Sequence, residues 1–228
     1  AGPMMTLNTI VAEAFDSLAE ELSSFAPETF LAQLQETLKR RISEHKRIIF
    51  NGDNYSEEWV KEAERRGLPN LKNTMTALHT LVNEKNVALF EKYGVFSRRE
   101  LESRFEIFLE EYHRRIRIEG RLSWEMAATI ILPALRNEYK QTVSALSRAL
   151  DAKRTNGTAA LQKLADKLGG ALDSVVSDLD TLETALTSCH EDILAAMSRL
   201  RTSVDAAETL VNDRSWPLPK YREMLFIY

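Results

Sequence analysis

The sequence predicts an all-α protein, on the evidence of its composition and of the spacing of its apolar residues. Of its 228 residues, 44% are hydrophobic, and only 8 are Gly and 6 are Pro. Few glycines and few β-branched runs leave little material for the turns and strands of a sandwich, a barrel or a doubly wound sheet. The apolar residues recur instead at steps of three and four, which is the spacing of helices that bury one face.

The first two helices are predicted from apolar stripes of this kind. One runs from about Leu7 to Ser24, and the next begins near Pro27, a residue suited to the first turn of a helix. We expect these two helices to pack as a pair. An apolar stretch then leads into the polar turn cluster 51–54, so at most one very short strand is expected, near Ile48–Phe50.

Capping signals divide the middle of the chain into helices. Ser56 precedes two acidic residues and is the predicted N-cap of a short helix. The capping box Ser97–Glu100 begins a long helix that Gly120 is expected to end. Ser123 is the expected cap of the next helix, which contains Pro133 and should be disturbed just before it.

The last third carries a heptad-like seam of long, packed helices. Leucines and other apolar residues alternate at three and four steps from Leu161 to Val211. A second capping box, Ser188–Glu191, predicts a chain reversal, and Cys189 belongs to the apolar row. We therefore expect an antiparallel helical hairpin that packs on the helix of Pro133.

Charge and hydropathy exclude several partners and compartments. The formal net charge is -4, without a basic face at the level of a domain, so no nucleic acid is expected as a partner. No apolar run reaches the ~20 residues that span a bilayer, so no membrane partner is expected either. The first fifteen residues include Glu13 and lack the features of a signal peptide, and Cys189 has no cysteine partner. These observations favour a cytoplasmic protein.

No active site emerges from the residues alone. The four histidines are scattered, and the one Glu-x-x-His, Glu110 to His113, is interpreted as an exposed, charged helix face. The sequence contains no phosphate-binding loop, no Gly-x-Ser-x-Gly and no Cys-x-x-Cys. No catalytic, cofactor-binding or metal-binding residue is therefore assigned to this chain.

Several long strings resemble the C-terminal portion of type III glutamine synthetases, in order and from end to end. They include Ala1–Pro3, Leu7–Glu13, His45–Gly52, Tyr55–Trp59, Arg66–Leu71, Leu89–Phe96, Glu102–Ile107, Ile131–Ala134 and Trp216–Tyr221. The resemblance implies a parent enzyme that ligates ammonia to glutamate with ATP and Mg²⁺ or Mn²⁺. In that family the ATP, metal and glutamate ligands lie upstream, so this segment alone is expected to bind no cofactor and to be inactive. Ala1–Pro3 is accordingly expected to come from the middle of a longer chain.

The resemblance also implies an organisation and a set of partners. Residues 1–122 correspond to the helical end of the catalytic region, 123–214 to a helical insertion, and 215–228 to a docked aromatic tail. The expected partners are the rest of the subunit and neighbouring subunits of a double-ringed homo-oligomer. Tyr55 stands where the more distant glutamine synthetases carry a tyrosine near the mouth of the active site.

Two questions stay open at the level of the sequence. The aromatic tail residues Trp216, Tyr221, Phe226 and Tyr228 are expected either at a subunit interface or docked on the helices of their own subunit. The alternative function is an independent, non-enzymatic helical scaffold or adaptor that binds a partner helix through its leucine seam.

Overall fold

The fold was obtained as a computed structural model that describes residues 2–225, and of residues 221 and 222 only the backbone. All regular structure in this part of the chain is helical, which confirms the all-α prediction. The helices are α1 (Gly2–Ser23), α2 (Phe30–Glu44), α3 (Glu57–Arg65), α4 (Thr74–Leu78), α5 (Glu84–Lys92), α6 (Arg98–Met126), α7 (Leu132–Asp151), α8 (Thr158–Ala185), α9 (His190–Glu208) and α10 (Tyr221–Leu225). The chain divides into two compact units, Ala1–Glu110 and Glu111–Tyr228.

A small core holds the second half of the first unit together. Val87 and Phe90 of α5 and Leu101 of α6 are buried there, against Val95 and Phe96 of the connection. The predicted capping box that begins α6 is confirmed. The backbone N–H of Ser97 donates to Glu100 Oε2 at 2.8 Å, and the N–H of Glu100 donates to Ser97 Oγ at 3.4 Å.

Helices α1 and α2 form close to their predicted bounds, but their apolar stripes do not pack on each other. The contacts between them are polar: the Arg41 guanidinium donates to Glu21 Oε2 at 2.8 Å, and Thr37 donates to the other carboxylate oxygen at 3.3 Å. Only Thr9 in α1 and Thr37 in α2 are buried. The expected pairing of the stripes is therefore wrong, because the two helices meet near Glu21 and leave most of their apolar side chains exposed.

The short strand allowed near Ile48–Phe50 does not form. Ile48 closes the 3₁₀ turn Lys46–Ile48, and no strand occurs among residues 2–225. Arg66 explains the difference, because its Nη1 donates to the carbonyl oxygens of Ile49 at 2.8 Å and of Arg47 at 3.2 Å. Those carbonyls are thus satisfied by a side chain and not by a neighbouring strand.

The long helix α6 continues where the sequence predicted a stop. Gly120 lies inside α6, which runs on to Met126, and Ser123 is an interior residue and not a cap. The π-helical turn Ala127–Ile131 follows directly and leads into α7, where Pro133 occupies the first turn. The predicted disturbance before Pro133 is confirmed, since a π turn rearranges the backbone bonds that a proline removes.

The predicted helical hairpin is confirmed. Helices α8 and α9 pack against each other, and α8 packs on α7. The buried residues of this unit include Leu135, Leu168, Val175, Leu182, Ile193, Leu200 and Ala207. Gly157, at the N-cap of α8, has a left-handed backbone with φ of 87°, which glycine adopts without strain.

The reversal between α8 and α9 differs in detail from its prediction. Cys189 is exposed and so lies outside the apolar row. It occupies the N-cap position of α9 without a capping side-chain bond, while Ser188 Oγ donates to Asp192 Oδ2 at 2.5 Å. The capping box is therefore replaced by a bond to Asp192, one residue beyond Glu191.

None of the helices in residues 2–225 combines the length and apolar character that a bilayer span needs.

Candidate functional site

Tyr55 lies at the tip of an ordered loop between the 3₁₀ turn Lys46–Ile48 and α3, and its side chain is 98% exposed. Asp53 shapes the loop, because its Oδ1 accepts the backbone N–H of Tyr55 at 2.9 Å. Its carbonyl oxygen also accepts Ser56 Oγ at 2.8 Å. Ser56 in turn accepts the N–H of Trp59 at 3.2 Å, which confirms it as the N-cap of α3.

An aromatic and cationic stack supports the base of this loop. The rings of Phe50 and Trp59 are stacked, with centroids 4.3 Å apart and planes 25° from parallel. The guanidinium carbon of Arg66 lies 5.5 Å from the Trp59 ring centroid and 5.9 Å from that of Phe50. Stacked rings beside a guanidinium group attract one another, so the stack fixes both ends of the loop. We call Phe50, Trp59 and Arg66 the loop clamp.

Glu62 orients the arginine of the loop clamp. Its Oε1 accepts Arg66 Nε at 2.6 Å, and its two oxygens accept Arg65 Nη2 at 2.6 Å and Arg65 Nε at 2.7 Å. Hydrogen bonds from Arg65 and then from Arg66 lower the pKa of the Glu62 carboxyl to about 2. Glu62 is therefore ionised at neutral and at mildly acidic pH, where its carboxylate can bind both arginines.

Gly52 lies close against the Phe50 ring of the loop clamp. A Cβ at this position would lie 2.6 Å from Cζ of Phe50, closer than real Cβ contacts allow. The absence of a side chain lets the backbone cross the edge of the ring. The turn cluster that the sequence identified thus has a specific role beside Phe50.

The side chain of Tyr55 is almost fully exposed, whereas its backbone N–H is held by Asp53. Among residues 2–225, no three His, Cys, Asp or Glu side chains are grouped so that they could hold a metal ion.

The tail residues have different positions. Trp216 is only 7% exposed and belongs to the core of the second unit. Tyr221 begins α10, and its side chain lies outside the described part of the structure, as do residues Phe226 and Tyr228 altogether. Leu225, at the end of α10, is 74% exposed. The beginning of the tail is thus docked on its own unit, whereas the last described residue faces solvent.

A cavity of about 420 Å³ lies beside the docked part of the tail. Its apolar lining includes Met126, Ile131, Met197, Val204, Trp216 and Met224. Charged residues also line it: Arg201 Nε donates to Asp205 at 2.6 Å, Lys220 is paired with Asp213, and Glu208 completes the set.

The sequence did not predict two of the side-chain clusters in the structure. One joins Lys92 and Tyr93 to Glu13 and Asp16 of α1, with the Tyr93 hydroxyl 2.7 Å from Glu13 Oε2. The other stacks His113 on His190. Both join residues more than seventy positions apart, so spacing along one helix held no signal for them. The interpretation of His113 as part of an exposed helix face is wrong in this respect, because it is half-buried against His190.

These features define a helical segment with an exposed loop at Tyr55 and a tail whose Trp216 is buried in the core of the second unit. The chain belongs to the glutamine synthetase C-terminal domain family, whose model matches residues 33–152. It is 30% identical to the type-3 glutamine synthetase of Dictyostelium discoideum, over 99% of this chain and 33% of that protein.

Two bacterial proteins are similar to the same extent. The glutamine synthetase of Butyrivibrio fibrisolvens is 33% identical over 92% of this chain and 32% of its own length. That of Bacteroides fragilis is 30% identical over 83% of this chain and 28% of its own length. The chain thus spans about a third of the length of these curated relatives.

Proposed function

We propose that this chain forms the C-terminal part of a type 3 glutamine synthetase and that its own role in that enzyme is structural. The whole enzyme would ligate ammonia to glutamate with ATP and Mg²⁺ or Mn²⁺, in the cytoplasm. Similarity along the whole chain supports this assignment, since one matched relative is named a type-3 glutamine synthetase and the other two are named glutamine synthetases. The ligands for ATP and metal would come from the other two thirds of the enzyme, because the described residues group no metal ligands.

One observation carries the structural role: the apolar face of α1 and α2 has no cover. Phe15 in α1 is 69% exposed, and Leu31 in α2 is 73% exposed. Leu7, Ile10 and Val11 of α1 and Leu38 and Ile42 of α2 are exposed as well. Large apolar side chains exposed in such number often mark a surface that contacts another domain or protein. We assign this face, the α1–α2 face, to packing against the remainder of the synthetase subunit.

The activity of the chain itself provides the first test. Purified alone, the 228-residue chain should form no glutamine from glutamate, ammonia, ATP and Mg²⁺. Joined behind the first two thirds of the Butyrivibrio enzyme, it should support that reaction. Glutamine formation by the isolated chain would contradict the structural role. Full activity of the upstream part without it would favour an independent scaffold.

Substitutions in the α1–α2 face provide the second test. Phe15→Ser and Leu31→Ser should leave the helicity of the isolated chain unchanged and should lower its binding of a hydrophobic dye. In the fused enzyme the same changes should reduce soluble yield and glutamine formation. Leu150→Ser is the matched control, because Leu150 is an exposed leucine of the second unit. A fused enzyme that tolerates the face variants as well as the control would contradict the assignment.

We further propose that Tyr55 lies near the mouth of the active site in the whole enzyme. The support is its exposure on a loop that is braced by a hydrogen bond to Asp53 and by the loop clamp. In the fused enzyme, Tyr55→Phe removes only the hydroxyl, and Tyr55→Ala removes the ring as well. We expect at least Tyr55→Ala to raise the KM for glutamate or ATP. Unchanged kinetics in both variants would leave only a surface turn that leads into α3.

The end of the chain is proposed to serve assembly. In this proposal residues 1–122 end the catalytic region, 123–214 form an inserted bundle, and 215–228 form a tail that begins at its docked Trp216. Tyr221, Phe226 and Tyr228 would then contact a neighbouring subunit in a double-ringed homo-oligomer. Deletion of residues 226–228 from the fused enzyme should give a smaller particle by light scattering with unchanged subunit melting. An intact oligomer with a lower melting temperature would assign these residues to their own subunit.

A further inference from the structure

The connection between α7 and α8 contains one of the two Asn–Gly pairs in the sequence, Asn156–Gly157, and the other pair is Asn51–Gly52. An asparagine before a glycine is open to an internal reaction, because no side chain on the glycine keeps its backbone nitrogen away from the side-chain carbonyl carbon of the asparagine. All four residues are exposed. The two pairs therefore have the same local chemistry, and the structure around them makes the difference.

The pair at Asn156 is not held by hydrogen bonds. The backbone N–H groups of Thr155, Asn156 and Gly157 donate to no described residue, and the side-chain amide of Asn156 has no partner among them either. A Cβ built on Gly157 would meet nothing within 4 Å. A rotation about the bond between Cα and the carbonyl carbon of Asn156 therefore breaks no hydrogen bond of that residue and meets no obstacle at Gly157.

The pair at Asn51 is restrained by its neighbours. Gly52 lies so close to the Phe50 ring that a Cβ there would be 2.6 Å from Cζ. Phe50 belongs to the loop clamp, whose arginine also holds the carbonyl oxygen of Ile49 at 2.8 Å. The same rotation at Asn51 has to displace the ring or open the clamp. The structure thus leaves Asn156 able to react and opposes the reaction at Asn51.

We propose that Asn156 is a site of spontaneous modification, at which the chain converts its own asparagine to aspartate and isoaspartate. The backbone nitrogen of Gly157 loses its proton and bonds to Cγ of Asn156. The bond between Cγ and Nδ2 breaks, and ammonia leaves with that proton, so that a five-membered succinimide ring remains. Solvent water then opens the ring. Addition at Cγ restores the original peptide bond and gives aspartate, whereas addition at the backbone carbonyl carbon gives isoaspartate, in which the chain runs through the side-chain carbon.

The charge that the reaction creates is favoured where it forms. Gly157 is the N-cap of α8 and offers no capping side chain, and the first turn of α8 contains no acidic residue. The N-terminus of a helix attracts negative charge through its unpaired N–H groups. From the end of α7 to the beginning of α8 the charged residues are Asp151, Lys153 and Arg154, so the connection is also basic on balance. A carboxylate at position 156 therefore stabilises the beginning of α8.

Mass spectrometry of the aged chain tests the proposal. The 228-residue chain is kept folded at mildly alkaline pH in water enriched in oxygen-18 and is then digested in ordinary water. Only a carboxyl group formed during the incubation is then labelled. Trypsin releases residues 155–163, in which Asn156 is the only asparagine, and residues 48–61, which contain Asn51 and Asn54. We expect labelled aspartate and isoaspartate in 155–163, with release of ammonia, well before any label in 48–61. An unlabelled Asn156, or equal conversion at Asn51, would overturn the proposal.

Two variants and one change of conditions isolate the cause. Asn156→Gln should remove the label from 155–163, because its longer side chain has to close a less favourable six-membered ring. Asn51→Gln is the matched control and should leave conversion at Asn156 unchanged. In guanidinium chloride, where both pairs lose their surroundings, Asn51 should react as fast as Asn156. An Asn51 that stays slow in the denatured chain would show that the structure does not set the difference and would contradict the argument.

The effect on α8 has a separate measurement. Asn156→Asp carries the aspartate product from the start and should have a higher thermal midpoint than the freshly prepared wild type. A midpoint equal to or below that of the wild type would overturn the predicted stabilisation of α8.

Discussion

Gly120 of α6 lies directly against Ile193 of α9: a Cβ at Gly120 would be 2.7 Å from Cγ2 of Ile193 and 3.1 Å from Cδ2 of Leu186. Ile193 is fully buried, and a β-branched side chain has little freedom to move aside. The glycine therefore permits a close crossing of two helices in the middle of a long helix. Its role is steric and does not depend on an unusual backbone conformation, since its φ is not positive.

We expect Gly120→Ala to lower the free energy of unfolding of the second unit by about 1 kcal/mol. Overpacking costs ~1–3 kcal/mol and exceeds the ~1 kcal/mol that alanine gains over glycine in a helix. Urea unfolding measures the change, and Gly120→Val should be more destabilising. Gly170→Ala in α8 is the matched control, because a Cβ there meets nothing within 4 Å and should stabilise the chain. A stabilised Gly120→Ala would show that the crossing relaxes easily.

Sequence periodicity predicted the helices well because it reports which face of a helix is apolar. The seam from Leu168 to Val204 is buried in the structure for that reason. The stripes of α1 and α2 have the same periodicity, yet most of their side chains are exposed. Periodicity identifies an apolar face but does not identify what covers it.

Local signals failed where a tertiary contact competed with them. Gly120 and Ser123 have the residue types of a helix stop and a helix cap, yet both lie inside α6, and Gly120 packs there against Ile193 of α9. Around the site, Ser56 and the turn cluster were predictable because capping and turn chemistry are local. The loop clamp and the histidine stack were not, because Phe50 meets Arg66 and His113 meets His190 only after the chain has folded.

Trp216 is expected to contribute more to stability than any exposed residue of the tail. It is buried in the same core as Leu200 and Val204, so Trp216→Ala should lower the free energy of unfolding by ~3–5 kcal/mol. Leu225→Ala should change it by less than about 0.5 kcal/mol, because Leu225 is exposed. Calorimetry of both variants makes the comparison. Equal effects would mean that the tail is docked uniformly and not through Trp216.

The loop clamp should lose a stabilising interaction in acid. The pKa of Glu62 is lowered by Arg65 and Arg66 to about 2, from an ordinary value of 4.5. A lowered carboxyl pKa gives stability that is present above the ordinary value and lost as the pH falls towards the folded value. The NMR signal of the Trp59 indole should therefore shift between those two pH values. Glu62→Gln should abolish this shift, and Glu64→Gln, the same charge change on the same helix, should not.

The contact of Tyr93 with α1 should show a pH dependence of the opposite sign, with stability lost in alkali. Desolvation, followed by the hydrogen bonds to Glu13 and Asp16, raises the pKa of its phenol to about 12 from an ordinary value of 10. A raised pKa gives stability that is fully present below the ordinary value and is lost as the pH rises through the folded value. The contact of Tyr93 with α1 should therefore weaken over that interval, and a late phenolate step should appear in ultraviolet difference absorbance.

Tyr93→Phe should remove the step. Glu13→Gln should move it only part of the way towards the ordinary value, because desolvation, the largest cause, remains. A late step that persists in Tyr93→Phe would assign it to another tyrosine and contradict the prediction.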